Sequence, residues 1–442
     1  MNLFGTDGIR GRFGKELTPS VAYALGRALA EEQTGTVVVI GMDTRTSGGL
    51  LSTALSRGVF DHGGQVLSLG IVPTNAVAHY VLKTGADFGV MISASHNPPD
   101  YNGLKVFDKY GVKICLSKQE EFSNKILQTE VFLPNGEEIL SVFDGSEEQY
   151  VDYVCEKIPL DCDNLPIAID CCYGSAYKLG KEIFLKSNAK VIAYCDFAKG
   201  QLINVDCGAT SPEFLAEQMK NNGCKLGFAF DGDADRLAVF EETHYLSPDR
   251  VLYAYAKYFY EKGQLAKNTV VGTVMTDGGL EESLKKIGIT LVRTDVGDSN
   301  VFDEMTTNGY VLGGENSGHY LLSNYATGSD AIINALLLTA VYLEKGSIID
   351  YTAEYVAFCR KEKSLLMQKS HLQYLKSTNL LQVIKEKFCR DHPSQKLVLR
   401  FSGTEPKIRI MAEGKTTAEV EQSIVEIIDS LNKVIDERKK ML

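Results

Sequence analysis

Asp231, Asp233 and Asp235 stand at alternate positions in D-G-D-A-D-R, between the apolar runs LGFAF and LAVF. Three carboxylates around a glycine-assisted turn form a compact set of hard oxygen donors suited to Mg²⁺. Packing three like charges between strands is costly without a cation. The plainer alternative is a solvated acidic turn. An EF-hand would need a longer loop ending in Glu, and none follows. Arg236 would project toward whatever anion the metal binds.

Four further loops carry groups of the same kind. S-A-S-H-N-P-P-D-Y-N-G-L-K follows the apolar run FGVMI. It offers Ser95 as a nucleophile, His96 as a hydrogen-bonding neighbour and Lys105 as a cation or acid/base, or else it is an ordinary polar turn. G-G-E-N-S-G-H offers Glu315 and Ser317 to sugar hydroxyls, with His319 beside them; taken alone it reads equally well as a Gly-rich turn. R-F-S-G-T-E-P-K-I-R combines Arg400, Ser402, Gly403, Thr404 and Arg409, which suits a nest for a dianionic phosphate. A hairpin turn with incidental arginines is the alternative. Near the start, G-T-D-G-I-R-G sets Arg10 among glycines, where it could reach an anion or remain solvated.

The combination says more than any member. A serine, a metal loop, a sugar-like loop and a phosphate nest follow one another along the chain, which points to phosphoryl transfer on a substrate that already carries a phosphate.

These loops need elements to hold them. Three times an apolar strand runs into a Gly- or Ser-rich turn and then a helix: TVVVIGMDTRTSGG from Thr36, PIAIDCCYGSAY from Pro166 and TVVGTVMTDGGLEESL from Thr269. Short apolar runs followed by helical periodicity mark buried parallel strands with crossover helices. The fold class expected is α/β, with three related α/β domains and a smaller C-terminal α+β domain. In the last domain KLVLRFSGTEPKIRIMAEG reads as two strands around a loop. A helix follows, with Thr416 and Glu419 as a capping box and Val420, Ile424, Ile427, Leu431 and Val434 on one face. The expected boundaries are 1–155, 156–250, 251–365 and 366–442, carrying the serine, metal, sugar and phosphate loops in turn.

Composition narrows the class. At 442 residues the chain exceeds what a single core supports. A hydrophobic content of 44%, a charged content of 23% and a net charge of −11 fit a globular protein and argue against a general nucleic-acid binder. No run approaches the roughly 20 apolar residues that cross a bilayer. The ten cysteines include no C-x-x-C pair and several lie in apolar runs, so they read as reduced, small hydrophobes in a cytosolic protein.

G-T-D-G-I-R-G, S-A-S-H-N-P, N-G-x-K, D-G-D-x-D-R, E-N-S-G-H and R-x-S-G-T-E-P, in this order from Gly5 to Pro406, resemble the α-D-phosphohexomutase family. The opening motif, E-N-S-G-H, S-G-T-E-P and V-D-C-G-A-T at Val205 favour its amino-sugar branch over the phosphomannomutase/phosphoglucomutase branch, which is the alternative. The resemblance implies four domains around a central cleft. It also implies interconversion of glucosamine 6-phosphate and glucosamine 1-phosphate, through a phosphoserine and a 1,6-bisphosphate that serves as intermediate and activator. By the same resemblance Ser95 is the phosphorylated residue, and it ligates one Mg²⁺ together with Asp231, Asp233 and Asp235. Glu315, Ser317 and His319 face the sugar. Arg400, Ser402, Gly403, Thr404 and Arg409 hold the phosphate that is not transferred. Arg10, His96, Lys105 and Arg236 surround the reacting centre. The partner implied is a phosphorylated hexosamine, with no nucleic acid or membrane, and a homodimer is left open. Ala234 stands where the family usually has Gly, and Ser299 where it commonly has Arg. T-D-G-G at Thr276 and L-S-P-D at Leu246 also depart from the pattern.

Overall fold

The computed structural model describes residues 3–5, 7–129, 143–402 and 406–441. The first sheet contains β1 (Ile9–Arg12), β2 (Val37–Met42), β3 (Gln65–Ile71), β4 (Phe88–Ile92) and β5 (Tyr101–Asp108), in the order β1-β5-β4-β2-β3. The second contains β6 (Pro166–Asp170), β7 (Lys190–Tyr194), β8 (Leu226–Phe230), β9 (Leu237–Glu241) and β10 (His244–Leu246), in the order β10-β9-β8-β6-β7. The third contains β11 (Thr269–Thr273), β12 (Thr290–Thr294), β13 (Leu312–Gly314) and β14 (Tyr320–Leu322), in the order β12-β11-β13-β14.

One plan underlies all three. Counted from β2, β6 and β11, the first strand of each set lies between the second and third, and both pairings are parallel, while β1 is an added edge strand antiparallel to β5. The fourth strand pairs antiparallel with the third. Parallel strands buried on both faces need continuous apolar runs, and β4, β8 and β11 are buried at every residue. The connection from third to fourth strand therefore leaves the carboxyl end of a parallel strand, where α/β sheets present ligand-binding groups. In the three sheets that connection holds Ser95, then Asp231 to Asp235, then Glu315 to His319. The repeated plan places three of the five loops at equivalent positions.

The fourth sheet is antiparallel throughout: β15 (Cys359–Leu366), β16 (Lys396–Phe401) and β17 (Lys407–Gly414), in the order β15-β17-β16. The helix Thr417–Met441 follows it. Its capping box forms as expected, with the Thr416 N–H donating to Glu419 Oε2 at 3.0 Å and the Glu419 N–H to Thr416 Oγ1 at 3.3 Å. Val420, Ile424, Ile427 and Leu431 are buried with Leu397, Ile408 and Ile410 of the sheet.

The chain divides into two compact units, Met1–Met275 with Ile289–Thr352, and Thr276–Gly288 with Ala353–Leu442. The second unit takes in the helix Gly278–Lys286, which the strand-turn-helix pattern attaches to β11. The Gly278 N–H donates to Glu413 Oε1 at 2.8 Å, and Asp277 accepts the Tyr355 hydroxyl at 2.7 Å. Among the described residues no helix is long and apolar enough to cross a membrane.

Candidate active site

Ser95 sits just beyond β4 in the left-handed region, at φ +51°, and is buried. A non-glycine residue held there costs on the order of 1–2 kcal/mol, and the surroundings compensate. The Ser95 N–H donates to Ser93 Oγ at 2.9 Å, and Ser93 Oγ donates to Asp43 Oδ2 at 2.6 Å. The Ser95 carbonyl accepts from Arg45 Nη2 at 2.9 Å and from Asn204 Nδ2 at 2.8 Å. Arg45 and Asp43 form an ion pair of 2.9 Å with both side chains fully buried. The same guanidinium reaches the carbonyls of Asn97 at 2.7 Å and Tyr101 at 2.9 Å. Burial pushes the Asp43 carboxyl up, and Arg45 opposes it. Asp43 and Arg45 thus support the serine turn from beneath. Nothing in D-T-R marks this role in the sequence.

The Ser95 hydroxyl donates to Asp231 Oδ2 at 2.6 Å and lies 3.3 Å from His96 Nδ1. Burial, reinforced by Arg236 and Arg10, lowers the His96 imidazole to about 4, so it is neutral near pH 7. The backbones approach closely: a Cβ on Gly232 would stand 2.6 Å from the Ser95 carbonyl oxygen. Only glycine fits there.

Asp231, Asp233 and Asp235 are all buried, with one oxygen from each inside a 4.8 Å group. Asp231 Oδ1 accepts the N–H groups of Asp235 and Arg236, each at 3.1 Å. Asp233 Oδ2 accepts the Thr74 hydroxyl at 2.7 Å. Lys105 Nζ lies 2.7 Å from Asp233 Oδ2, 2.7 Å from Asp235 Oδ2 and 3.0 Å from Asp7 Oδ2. Burial, then Asp235 and Asp233, push Asp231 up to about 7. Burial also works against Asp235, but Lys105 and His319 hold it well below the usual carboxylate range. Burial likewise opposes the Lys105 ammonium, and the three surrounding acids raise it nonetheless. Asp233 Oδ1 and Asp235 Oδ1 are buried without a hydrogen-bond partner. Two orphaned carboxylate oxygens beside a third acid are the donor set a hard divalent cation requires. The residues fit Mg²⁺.

The third loop docks on the second sheet. The Leu237 N–H donates to the Gly318 carbonyl at 2.9 Å, and a Cβ on Gly318, at φ +83°, would stand 2.5 Å from the Leu237 oxygen. His319 is held between Asp235, at 3.7 Å from Nδ1, and Asp298, at 3.6 Å from Nε2. These are ion-pair contacts longer than hydrogen bonds. Burial opposes the imidazolium, but Asp235 and Asp298 raise its pKa overall. Glu315 Oε1 accepts the Gly297 N–H at 3.0 Å, while Ser317 is exposed at the loop tip.

Asp7 accepts from Arg10 and Lys113, and Lys113 also reaches Asp298. Burial disfavours the Asp7 carboxylate, but Lys105, Lys113 and Arg10 hold it far below its ordinary value. The buried Nε atoms of Arg10 and Arg236 have no partner, so both guanidinium groups retain a donor for an anion. A cavity of about 640 Å³ adjoins this network, with Asp235, Lys113, Asp298, Ser299 and His319 in its wall. That volume falls in the usual range for small-molecule sites. Sequence reasoning missed Asp7, Asp43, Arg45, Lys113, Asn204 and Asp298. Asp7 had a signal, since it lies inside G-T-D-G-I-R-G, and so did Asp298, which lies inside V-G-D-S-N beside Ser299.

In the second unit Arg400 of β16 stands directly opposite Arg409 of β17, and both are exposed. Like charges facing across a ladder are destabilising, and neither meets a carboxylate among the described residues. The Ser402 N–H donates to the Lys407 carbonyl at 3.0 Å. Gly403 and Thr404 lie outside the described residues.

A buried serine bonded to one of three metal-competent aspartates, near arginine Nε atoms without a partner, is an arrangement suited to phosphoryl transfer. Family models for phosphoglucomutase/phosphomannomutase match in sequence: α/β/α domain I over residues 1–131, domain II over 148–244, domain III over 247–357 and the C-terminal domain over 378–430. The chain belongs to this family, whose enzymes are isomerases that work by phosphoryl transfer. More particularly, a phosphoglucosamine mutase of Thermotoga sp. (strain RQ2) is 41% identical over 97% of this chain and 99% of that protein. A phosphoglucomutase/phosphomannomutase family protein of Burkholderia thailandensis shares the fold at TM-score 0.82, with 23% identity over 98% of this chain and 97% of that one. An Aspergillus fumigatus N-acetylphosphoglucosamine mutase, in complex with GlcNAc-6P and magnesium, aligns at TM-score 0.64 with 14% identity, over 97% and 95% of the two chains.

Proposed function

We propose that the chain interconverts glucosamine 6-phosphate and glucosamine 1-phosphate, with Ser95 as the phosphoryl carrier. The observation that carries this reading is the 2.6 Å hydrogen bond from Ser95 Oγ to Asp231 within the aspartate cluster. Asp231, Asp233, Asp235 and the phosphorylated Ser95 would hold Mg²⁺, which would supply positive charge to offset the phosphoserine and polarise the transferring phosphoryl group. A phosphoserine brings about −1.5 to −2 charges, so the pair leaves the balance of the surrounding ion-pair network nearly unchanged.

The chain's own residues do the rest. Arg400 and Arg409, with Ser402, Gly403 and Thr404, anchor the phosphate that stays on the sugar. Glu315, Ser317 and His319 orient the ring, and Arg10 and Arg236 direct donors at the transferring oxygens. The anomeric hydroxyl attacks the phosphorus on Ser95, the P–Oγ bond breaks, and a 1,6-bisphosphate forms. His96, close to Ser95 Oγ and neutral, takes part in the proton transfer, while Lys105 remains a cation among its three acids. The bisphosphate turns over, Ser95 Oγ attacks the 6-phosphoryl group, and glucosamine 1-phosphate departs. A hexose 1,6-bisphosphate therefore also recharges an enzyme that has lost its phosphate. All ten cysteines are free thiols, which supports a reducing, cytosolic setting.

The test compares turnover of glucosamine, mannose and glucose phosphates by the native chain and by Ser95→Ala. Preference for the amino sugar together with loss of turnover in the variant supports the reading. Substantial isomerisation by Ser95→Ala would refute it. A preference for mannose or glucose phosphate would move the chain to the phosphomannomutase/phosphoglucomutase branch.

A further inference from the structure

A second group of ligand-type side chains lies in the second sheet, away from the reacting loops. Asp170 ends β6, and Cys195 immediately follows β7. One ligand atom each from Asp170, Cys195 and Cys207 lies within a 4.8 Å group, and all three residues are buried. Cys172 lies beside them: its thiol donates to the Cys207 carbonyl at 3.9 Å, and the three cysteines form one cluster. The segments converge from the carboxyl ends of two neighbouring parallel strands and from the loop around Cys207.

Ordinary core packing accounts poorly for this group. Buried free cysteines usually serve as small hydrophobes, but here they surround a fully buried carboxylate. Asp170 accepts the N–H groups of Cys172 at 2.9 Å and Gly208 at 2.6 Å, and it pairs with no basic side chain among the described residues. The backbone is also strained. Cys172 at φ +57° and Cys195 at φ +51° both hold the left-handed conformation, each at a cost of order 1–3 kcal/mol that persists only where the surroundings impose it. Gly208 passes so close that a Cβ there would stand 2.4 Å from Cys172 Sγ. Strain, thiols and an unpaired acid meet at one point.

We propose that Asp170, Cys195, Cys207 and Cys172 form a four-coordinate site for a soft divalent cation, Zn²⁺ by ligand chemistry. Thiolates select such metals over Mg²⁺, and four ligands from the protein leave no open position, which makes the site structural. Binding releases the thiol protons to solvent, and the cation supplies the charge that Asp170 lacks. The site bears on the reaction through Asn204. This side chain accepts the Cys172 thiol at 3.1 Å through Oδ1, and through Nδ2 it donates to the carbonyls of Ser95 at 2.8 Å and Asn97 at 3.1 Å. Metal binding would remove the Cys172 proton that Asn204 Oδ1 accepts, and so would change the anchoring of one of the two groups holding the Ser95 carbonyl.

The full chain, produced in zinc-supplemented medium and washed with excess Mg²⁺ to clear the aspartate cluster, is assayed for metal by mass spectrometry. One equivalent of zinc per chain is expected to remain. Protein produced with Co²⁺ is expected to show an intense thiolate-to-cobalt charge-transfer band, which carboxylate ligands do not give. Both signals should persist in Asp233→Ala and vanish in the Cys195→Ser/Cys207→Ser double variant. If the double variant fails to fold, zinc content and the cobalt spectrum of the native chain and of Asp233→Ala still decide. Absence of retained zinc and of the charge-transfer band would overturn the proposal. A Cys195–Cys207 disulfide found by non-reducing peptide mapping would also overturn it, since a redox pair would then occupy the place of the metal.

Discussion

Arg45→Met isolates the support beneath Ser95, the proposed phosphoryl carrier. Methionine keeps the length and apolar bulk of the side chain but removes its charge and every donor. The variant leaves Asp43 buried without its partner and takes a donor from each of the carbonyls of Ser95, Asn97, Pro98 and Tyr101. Breaking a buried pair from one side costs about 3–5 kcal/mol. Two features reduce that figure. Asn204 still donates to the Ser95 and Asn97 carbonyls, and Asp43 can take up a proton. Burial already raises Asp43, and Arg45 is the largest influence opposing the rise. Without Arg45 the folded-state pKa climbs further above its unfolded value. The folded variant then binds more protons than the unfolded chain, and its stability falls as pH rises through that window. The expected outcome is a Tm deficit relative to wild type that is wider near pH 8 than near pH 5.5. Because Arg45 is buried beneath the loop, KM should change little. Displacing Ser95 by about 1 Å should lower kcat by roughly 100-fold. Thermal unfolding across pH and steady-state kinetics read both effects. A variant with native kcat and a pH-independent Tm difference would refute the argument.

Ala234 holds φ +58° inside the metal loop. Ala234→Gly relieves about 1–2 kcal/mol of left-handed strain against about 0.5–1 kcal/mol of added chain entropy. Tm should therefore rise by about 1–2 °C, and a fall in Tm would contradict this reading. His79 is lowered to about 4 by burial, then by Lys83 and Lys157, and it stacks 3.9 Å from Tyr153. The unfolded chain binds a proton there that the folded chain refuses between pH 6.5 and about 4, so acid removes stability across that window. His79→Phe should lose Tm less steeply on acidification, and equal slopes would count against the assignment.

Much of the site was legible because its chemistry is concentrated in contiguous motifs. D-G-D-A-D-R places three acids within five residues, and the same strand-loop-strand connection presents Ser95, the acids and His319. The supporting residues were not legible. Asp43, Arg45, Asn204 and Lys113 belong to no motif, and they and Asp298 each meet partners 50 to 185 positions away. The cysteine group was hidden for the same reason: Asp170 with Cys172, Cys195 and Cys207 come from three separate segments, joined by the pairing of β6 with β7 and by the loop around Cys207. The helix Gly278–Lys286 shows the limit for the fold. Its local pattern ties it to β11, whereas bonds from Gly278 to Glu413 and from Asp277 to Tyr355 draw it into the C-terminal unit. Local periodicity identifies an element, and distant side chains decide where it packs.

The central claim is that Ser95 carries the phosphoryl group. Intact mass and peptide mapping before and after incubation with a hexose 1,6-bisphosphate test it directly. The account predicts gain of a single phosphoryl group on Ser95 and its discharge onto added glucosamine 6-phosphate or 1-phosphate. Phosphate confined to another residue, or sustained turnover by a chain in which Ser95 never becomes phosphorylated, would contradict it.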